Sequence, residues 1–235
     1  MAKKSIAIVL SAGKGRRMHS RTAKQYLHIK GKPVIYYALK TFQDCPFIDE
    51  IILITGEEDK EFCRHDIIEK YGLDKVGQIV SGGKERFHSV YNGLTAAQEC
   101  DFVYIHDGAR PFVTQNMLER LQKAAEEYHA CVAGMPVKDT IKISDDNGFC
   151  ASTPKRSLVW QIQTPQVFSY SLVKDAYQKL MDALAAGKDL SVTDDAMVVE
   201  CMTDHKVKLI EGAYSNLKIT TPEDLKTAEI FLENF

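Results

Sequence analysis

The chain has 235 residues, 45% apolar and 26% charged, with a formal net charge of −2. That is one large domain of ordinary globular composition, long enough to bury about 70% of its unfolded surface without disulfides or a structural metal. It excludes a disordered tail, a collagen-like chain and a coiled coil, argues against broad nucleic-acid binding, and holds no 18-residue uncharged apolar run to span a membrane.

Ser5-Ile6-Ala7-Ile8-Val9-Leu10 is a short apolar run stopped by Ser-Ala-Gly, so a buried first strand rather than a signal peptide. Pro33 opens a helix over 34–39, with proline at its first turn. Glu50 to Thr55 is a second buried strand, and 59–71 a charged helix ending at Gly72. A third strand over 75–80 stops at Ser81-Gly82-Gly83. Phe87, Val90, Tyr91 and Leu94 share one face of a helix over 86–99. A fourth strand covers 102–106, Thr114 caps a helix to Tyr128, and a fifth strand covers 130–135. This alternation predicts an α/β fold: a Rossmann-like, doubly wound, mostly parallel sheet with helices on both faces. Ligands bind beyond the carboxyl ends of such strands, which singles out the loops 11–24, 81–86 and 107–112.

The rhythm breaks after Pro136. A strand is expected over 137–142, a hairpin turn at Asp146-Asn147-Gly148, and a return over 149–152. A lone hairpin is marginal in water, so this β-arm, 137–163 of a single 1–235 domain, is expected to clasp a second subunit. A helix over 170–186, a strand over 207–210 and a last helix starting at Thr221-Pro222-Glu223-Asp224 complete the chain. The six cysteines lie at least 18 residues apart with no C-x-x-C, which speaks against a zinc site and for a reducing cytoplasm.

Charge is unevenly spread. Residues 11–32 hold seven cations (Lys14, Arg16, Arg17, Arg21, Lys24, Lys30 and Lys32) and no acid, where even spreading gives roughly three of each. Such a run repels itself unless solvated or met by an anion. Here it contains a glycine loop directly after a strand, Ser11-Ala12-Gly13-Lys14-Gly15-Arg16-Arg17-Met18, whose backbone can approach phosphates. It is neither a Walker A loop nor a dinucleotide fingerprint: no Gly-Lys-Ser/Thr closes it, and Met18 stands where a third glycine belongs. The plain alternative is a tight turn. Asp107, in His106-Asp107-Gly108-Ala109-Arg110-Pro111, is placed to hold Mg²⁺ beside substrate phosphates; its plain alternative is a turn aspartate paired with Arg110. His106 reads as a packed histidine. The 81–86 loop is either a ligand wrap or a helix start. By default Lys218 is an exposed strand lysine, and Asp194-Asp195 a solvated helix start.

Together these segments resemble the 2-C-methyl-D-erythritol 4-phosphate cytidylyltransferases. The matches are S-A-G-K-G-R-R-M, A-K-Q-Y-L, S-G-G-K-E-R-F-H-S-V, H-D-G-A-R-P-F, P-V-K-D-T-I-K, Q-T-P-Q-V-F, V-T-D-D-A and N-L-K-I-T-T-P-E-D-L, in the family's order. The resemblance implies a nucleotidyltransferase-type fold and transfer of CMP from CTP to a sugar-alcohol phosphate, with Mg²⁺ and release of pyrophosphate. It implies that Arg17 and Lys24 stabilise the charged transition state, with Arg156 and Lys218 as the other catalytic residues. Ala12, Gly13, Gly82 and Ser89 hold the cytidine, and Asp107 lies near metal and ribose. Thr140, Arg156, Thr193 and Lys218 position the acceptor, Thr140 and Arg156 reaching in from the other subunit's arm. Gly15, Ala109 and Thr164 complete the substrate-binding set. The family commonly has P-A-A-G and P-K-Q where this chain has Leu10-Ser11-Ala12-Gly13 and Ala23-Lys24-Gln25, which keeps the loop's charges.

The residues agree with that chemistry. A substrate phosphate is already largely ionised at neutral pH and needs no general base. It needs cations, because one anion attacks another, and phosphoryl transfer rests on positioning and charge stabilisation. The acid-free basic segment supplies them. The competing readings are a ribitol-phosphate or other sugar-phosphate nucleotidyltransferase, and a nucleotide-binding module without turnover.

Overall fold

The computed structural model describes residues 3–13 and 22–233. In chain order the strands are β1 (Ser5–Leu10), β2 (His28–Ile29), β3 (Lys32–Pro33), β4 (Glu50–Thr55), β5 (Val76–Ser81), β6 (Phe102–Asp107), β7 (Ala130–Pro136), β8 (Ile143–Ser144), β9 (Cys150–Ser152), β10 (Trp160–Ser169) and β11 (Lys208–Glu211). The helices are α1 (Val34–Asp44), α2 (Lys60–Phe62), α3 (Arg86–Ala96), α4 (Gln115–Tyr128), α5 (Tyr170–Ala185), α6 (Asp195–Met202) and α7 (Pro222–Leu232).

Seven strands form the central sheet in the order β11-β7-β10-β6-β1-β4-β5. All five predicted strands of the alternating half are present. β1, β4, β5 and β6 run parallel, and β10 alone runs antiparallel between β6 and β7. β1 alternates between two cores: Ala7 and Val9 pack on the face carrying α1 and α4, Ile6 and Ile8 on the face carrying α3, α5 and α6. This is the period of two expected of a strand buried on both sides. The chain winds outward through β4 and β5, then returns to lay β6 on the other side of β1. The strand order therefore reverses between β1 and β6, where Leu10 pairs with Asp107. Ligands bind at such a switch point.

Two expectations are corrected. Residues 137–142 form no strand; the hairpin is the short β8–β9 pair, closed by the predicted turn with Gly148 at φ 84°. Asp145 anchors that turn by accepting from the backbone N–H of Asn147 and Phe149. The charged segment before Gly72 is not a uniform α-helix, since α2 continues as a π-helix over Cys63–Glu69. The ten-residue β10 is additional to the predicted elements, while α6 begins at the expected Asp194-Asp195 helix start. The last helix starts as predicted, with Thr221 and Asp224 in a capping box and Pro222 in the first turn. Among the described residues no helix is long and apolar enough to cross a membrane.

Gly93 lets α3 lie directly on the sheet: a Cβ there would sit 2.8 Å from Ile8 Cγ2 and 3.1 Å from Ile54 Cδ1. Gly93→Val is expected to lower unfolding free energy by roughly 2–3 kcal/mol, because overpacking outweighs glycine's helix penalty of about 1 kcal/mol. Urea denaturation checks this; an unchanged midpoint would show that α3 can lift without loss.

Candidate active site

Three loops meet at the switch point. The first leaves β1: Ser11 N–H donates to Ile54 O, and the buried Gln25 amide donates to Ser11 O and Gly13 O. Tyr26 OH shares hydrogen bonds with Ser11 Oγ, Thr55 Oγ1 and Cys63 Sγ beneath that loop. Gln25 and Tyr26 thus anchor the loop's described start from below, and Lys24, next in the chain, lines the cleft above. The second loop leaves β5. Gly83 N–H donates to Ser89 Oγ, which donates in turn to Glu85 O. Gly82 has no substitute there: a Cβ would fall 2.3 Å from Ala12 Cβ. The third loop leaves β6. Its Gly108 N–H donates to Leu10 O, and Ala109 O accepts from Ile219 N–H, drawing the chain around Lys218 alongside.

These loops enclose a cleft of about 780 Å³, lined by Ala12, Gly13, Lys24, Gly82, Ser89 and Ala109 among others. A second cavity of about 510 Å³ lies beside it, lined by Thr164, Thr193 and one side of α6. Arg86, Asp107 and Lys218 line both. They form the partition between two adjoining pockets.

The partition is an ion network. Lys218 Nζ lies 2.7 Å from Asp107 Oδ2, and Arg86 Nε lies 3.4 Å from Asp107 Oδ1. The other two guanidinium nitrogens of Arg86 donate to Asp195 at 2.8 and 2.7 Å. Tyr177 OH also donates to Asp195, whose carboxylate is fully buried. Burial works against the Asp107 charge, yet Arg86 and Lys218, with Arg110 nearby, more than offset it and hold the carboxyl well below the usual carboxylate range. Arg110 itself donates to Asn216 O, so the alternative pairing of Asp107 with Arg110 is not formed. Lys218 is not an exposed strand lysine; it lies outside any strand and is paired. Asp195 is not a solvated helix start, because Arg86 takes its charge into the interior.

His106 is packed, as expected. One ring nitrogen meets Arg110 O at 3.0 Å, the other Thr164 Oγ1 at 3.1 Å, and burial lowers its pKa to about 4. Thr164 Oγ1 also accepts from Asp107 N–H, so Thr164 positions the Asp107 backbone besides lining the second cavity.

Of the predicted site residues, Ala12, Gly13, Lys24, Gly82, Ser89, Asp107, Ala109, Thr164, Thr193 and Lys218 all line one or both pockets. Gly15 and Arg17 lie outside the described residues. Thr140 and Arg156 line neither pocket: both are exposed on the arm, where Arg156 donates to Lys138 O. Sequence reasoning missed Gln25, Arg86, Tyr177 and Asp195 as site residues. Gln25, Arg86 and Asp195 sit inside quoted motifs, but Arg86 and Asp195 take their role from each other across 109 residues.

A protonated His106 would be a fully buried charge beside the Arg110 guanidinium, and its two hydrogen bonds do not offset that burial. Its folded pKa of about 4 lies below the ordinary 6.5, so the unfolded state takes the proton first. The contribution is complete above pH 6.5 and fades as pH falls from 6.5 to 4. It amounts to roughly 3 kcal/mol. Chemical denaturation across that window is expected to show the loss in wild type and a flatter profile in His106→Gln; parallel profiles would assign the slope to other groups.

Comparison with known proteins identifies relatives along the whole chain. A sequence-family model of 2-C-methyl-D-erythritol 4-phosphate cytidylyltransferase matches residues 5–234. The enzyme of that name from Lachnospira eligens is 49% identical over 97% of this chain and 98% of its own, and that from Alkaliphilus oremlandii 48% identical over 98% and 95%. Among solved structures, the 4-diphosphocytidyl-2C-methyl-D-erythritol synthase of Anaerococcus prevotii superposes with a TM-score of 0.86 at 35% identity, covering 99% of this chain and 97% of that one. The Thermus thermophilus cytidylyltransferase gives 0.75 at 28%, covering 96% and 98%.

Proposed function

The chain belongs to the 2-C-methyl-D-erythritol 4-phosphate cytidylyltransferase family, and we propose that its two pockets divide the reaction, the 780 Å³ cleft taking CTP and the 510 Å³ cavity the sugar-alcohol phosphate. The reaction transfers CMP from CTP to 2-C-methyl-D-erythritol 4-phosphate, a step of isoprenoid precursor synthesis. An acceptor phosphate oxygen forms a bond to the α-phosphorus, the bond to the bridging oxygen breaks, and pyrophosphate leaves. The observation that carries this division is the shared partition of Arg86, Asp107 and Lys218: among the described residues, these three line both pockets, so a group in one pocket meets a group in the other beside them.

The attacking phosphate brings its own charge, so the protein's task is to gather anions and neutralise them. Glycine loops and Ser89 fix the nucleoside by backbone contacts. Lys24 and, by resemblance, Arg17 face the charge that grows on the α-phosphate oxygens. Lys218 answers the acceptor phosphate from the partition. His106 supplies no proton near neutral pH, being held neutral by burial.

Among the described residues no three His, Cys, Asp or Glu side chains gather into a metal site. Asp107 puts a carboxylate into the wall of the cleft, an oxygen donor of the kind that would hold Mg²⁺ beside substrate phosphates. When bound, Mg²⁺ neutralises phosphate charge and orients the chain of phosphates; Asp107 is the side chain that would hold it.

The arm completes the reading. Its hairpin buries little against its own domain, and Ile143, Phe149 and Leu158 are 50%, 73% and 75% exposed. A second copy of the chain would cover these side chains, giving a homodimer in which Thr140 and Arg156 serve the neighbour's acceptor pocket. The described cysteines are all free, which supports a reducing cytoplasm. Neither nucleic acid nor membrane is a partner in this reading.

Pyrophosphate release from CTP with methylerythritol phosphate, and not with ribitol phosphate, is the expected result of a coupled assay; a preference for ribitol phosphate would reassign the acceptor, and nucleotide binding without turnover would remove the enzyme. Lys24→Ala is expected to lower kcat by on the order of 10²–10³ while leaving thermal stability nearly unchanged. For the arm, inactive Lys24→Ala and Arg156→Ala subunits are allowed to exchange. Random exchange makes about half the dimers mixed, each with one doubly damaged and one intact site, so about a quarter of wild-type activity returns. No recovery, with exchange verified by tags, would place Arg156 in its own subunit's chemistry.

A further inference from the structure

Arg86 and Asp195 lie 109 residues apart in sequence, and each is the first residue of its helix. Arg86 follows the glycine loop that lines the nucleotide cleft. Asp195 follows Thr193 and Asp194, which line the acceptor cavity. One bidentate pair therefore ties the two loops together. The Asp195 carboxylate has no exposed surface, so it touches neither substrate. Asp194 is differently employed, capping α6 through Met197 N–H and accepting from Gln166.

The pair also decides how Arg86 meets Asp107. A free guanidinium grips a carboxylate with two parallel hydrogen bonds. Here Asp195 occupies both terminal nitrogens, and only Nε reaches Asp107, at a loose 3.4 Å. Asp107 thus keeps its shorter bond with Lys218 and its access to the cleft. Tyr177 holds Asp195 from behind; burial first and the Asp195 charge second keep its phenol protonated, so it remains a donor.

We propose that Asp195, backed by Tyr177, is a positioning residue for the transfer reaction, acting through Arg86 to hold the nucleotide loop and the acceptor wall in one geometry and to keep Arg86 from closing on Asp107. The proposal rests on the two-pocket reading of cytidylyl transfer. Asp195→Asn keeps the shape and removes the charge; Tyr177→Phe is the milder variant, removing one hydrogen bond. Asp195→Asn is expected to lower kcat by on the order of 10- to 100-fold, as small misplacements at a reacting centre do. Tyr177→Phe shifts it the same way by less, with KM for both substrates changing less than kcat and its melting temperature close to wild type.

The decisive measurement is a double-mutant cycle with Arg86→Gln. If Asp195 acts through Arg86, then in the Arg86→Gln background neither Asp195→Asn nor Tyr177→Phe lowers kcat further. Losses that multiply, or full kcat in both single variants, would overturn the proposal. Calorimetric titration with CTP alone repeats the cycle without turnover. There Asp195→Asn is expected to weaken binding at least about threefold in the wild-type background and not in Arg86→Gln; equal weakening in both would overturn it. Should wild type bind CTP yet release no pyrophosphate, the transfer reading fails while the CTP cycle still decides the clamp. Should Asp195→Asn fail to fold, Tyr177→Phe carries both cycles.

Discussion

The chain of charges from Asp195 through Arg86 and Asp107 to Lys218 is what the rest of the site depends on. Burying a single ion costs several kcal/mol, and removing one partner from a buried pair strands the other. Two carboxylates and two cations balance here, and the deepest of them, Asp195, is satisfied on both oxygens. The network joins the starts of α3 and α6, the end of β6 and the chain beside β11's return. Its members come from four separate stretches of sequence, and their pairing sets the wall between the two pockets.

Around that wall, polar residues with buried partners shape the loops. Gln25 and Tyr26 tie the β1 loop to the interior, and Ser89 knits the β5 loop to α3. Gln163 bonds Ala213 O, while Asn216 bonds Thr164 O, so the stretch leading to Lys218 lies against β10. Loops of glycine and cationic residues that leave backbone N–H groups open to a cleft gain little apolar burial of their own. Their rigidity comes instead from these anchors beneath, where hydrogen bonds are shielded from water.

The arm obeys the opposite balance. Its strands are two and three residues long, its backbone is exposed, and its larger apolar side chains face solvent. Such a hairpin gains little from its own contacts. The domain proper stands on two apolar cores either side of the sheet and does not need it.

Much of the fold is legible in the sequence because burial leaves a local pattern. Ser5–Leu10, Glu50–Thr55 and Phe102–Asp107 are continuous apolar or nearly apolar runs, and 86–96 and 115–128 repeat at helical spacing. Thr221-Pro222-Glu223-Asp224 announces a helix start by local chemistry alone. β10 escapes this reading because Gln161, Gln163, Thr164, Pro165 and Gln166 interrupt it with polar groups and a proline. Of these, Gln163, Thr164 and Gln166 are satisfied by His106, Asp107, Asp194 and Asn216, all distant in the chain. The sequence by itself determined the parallel core, the glycine loops and the basic segment, since each is written in neighbouring residues. Tertiary structure alone decided that Lys218 and Asp195 are paired rather than solvated, that Arg110 serves Asn216 rather than Asp107, and that Arg86 divides the pockets. A charged side chain carries no local mark of its partner: whether it is solvated or buried depends on which opposite charge the folded chain brings within reach, here across more than a hundred residues.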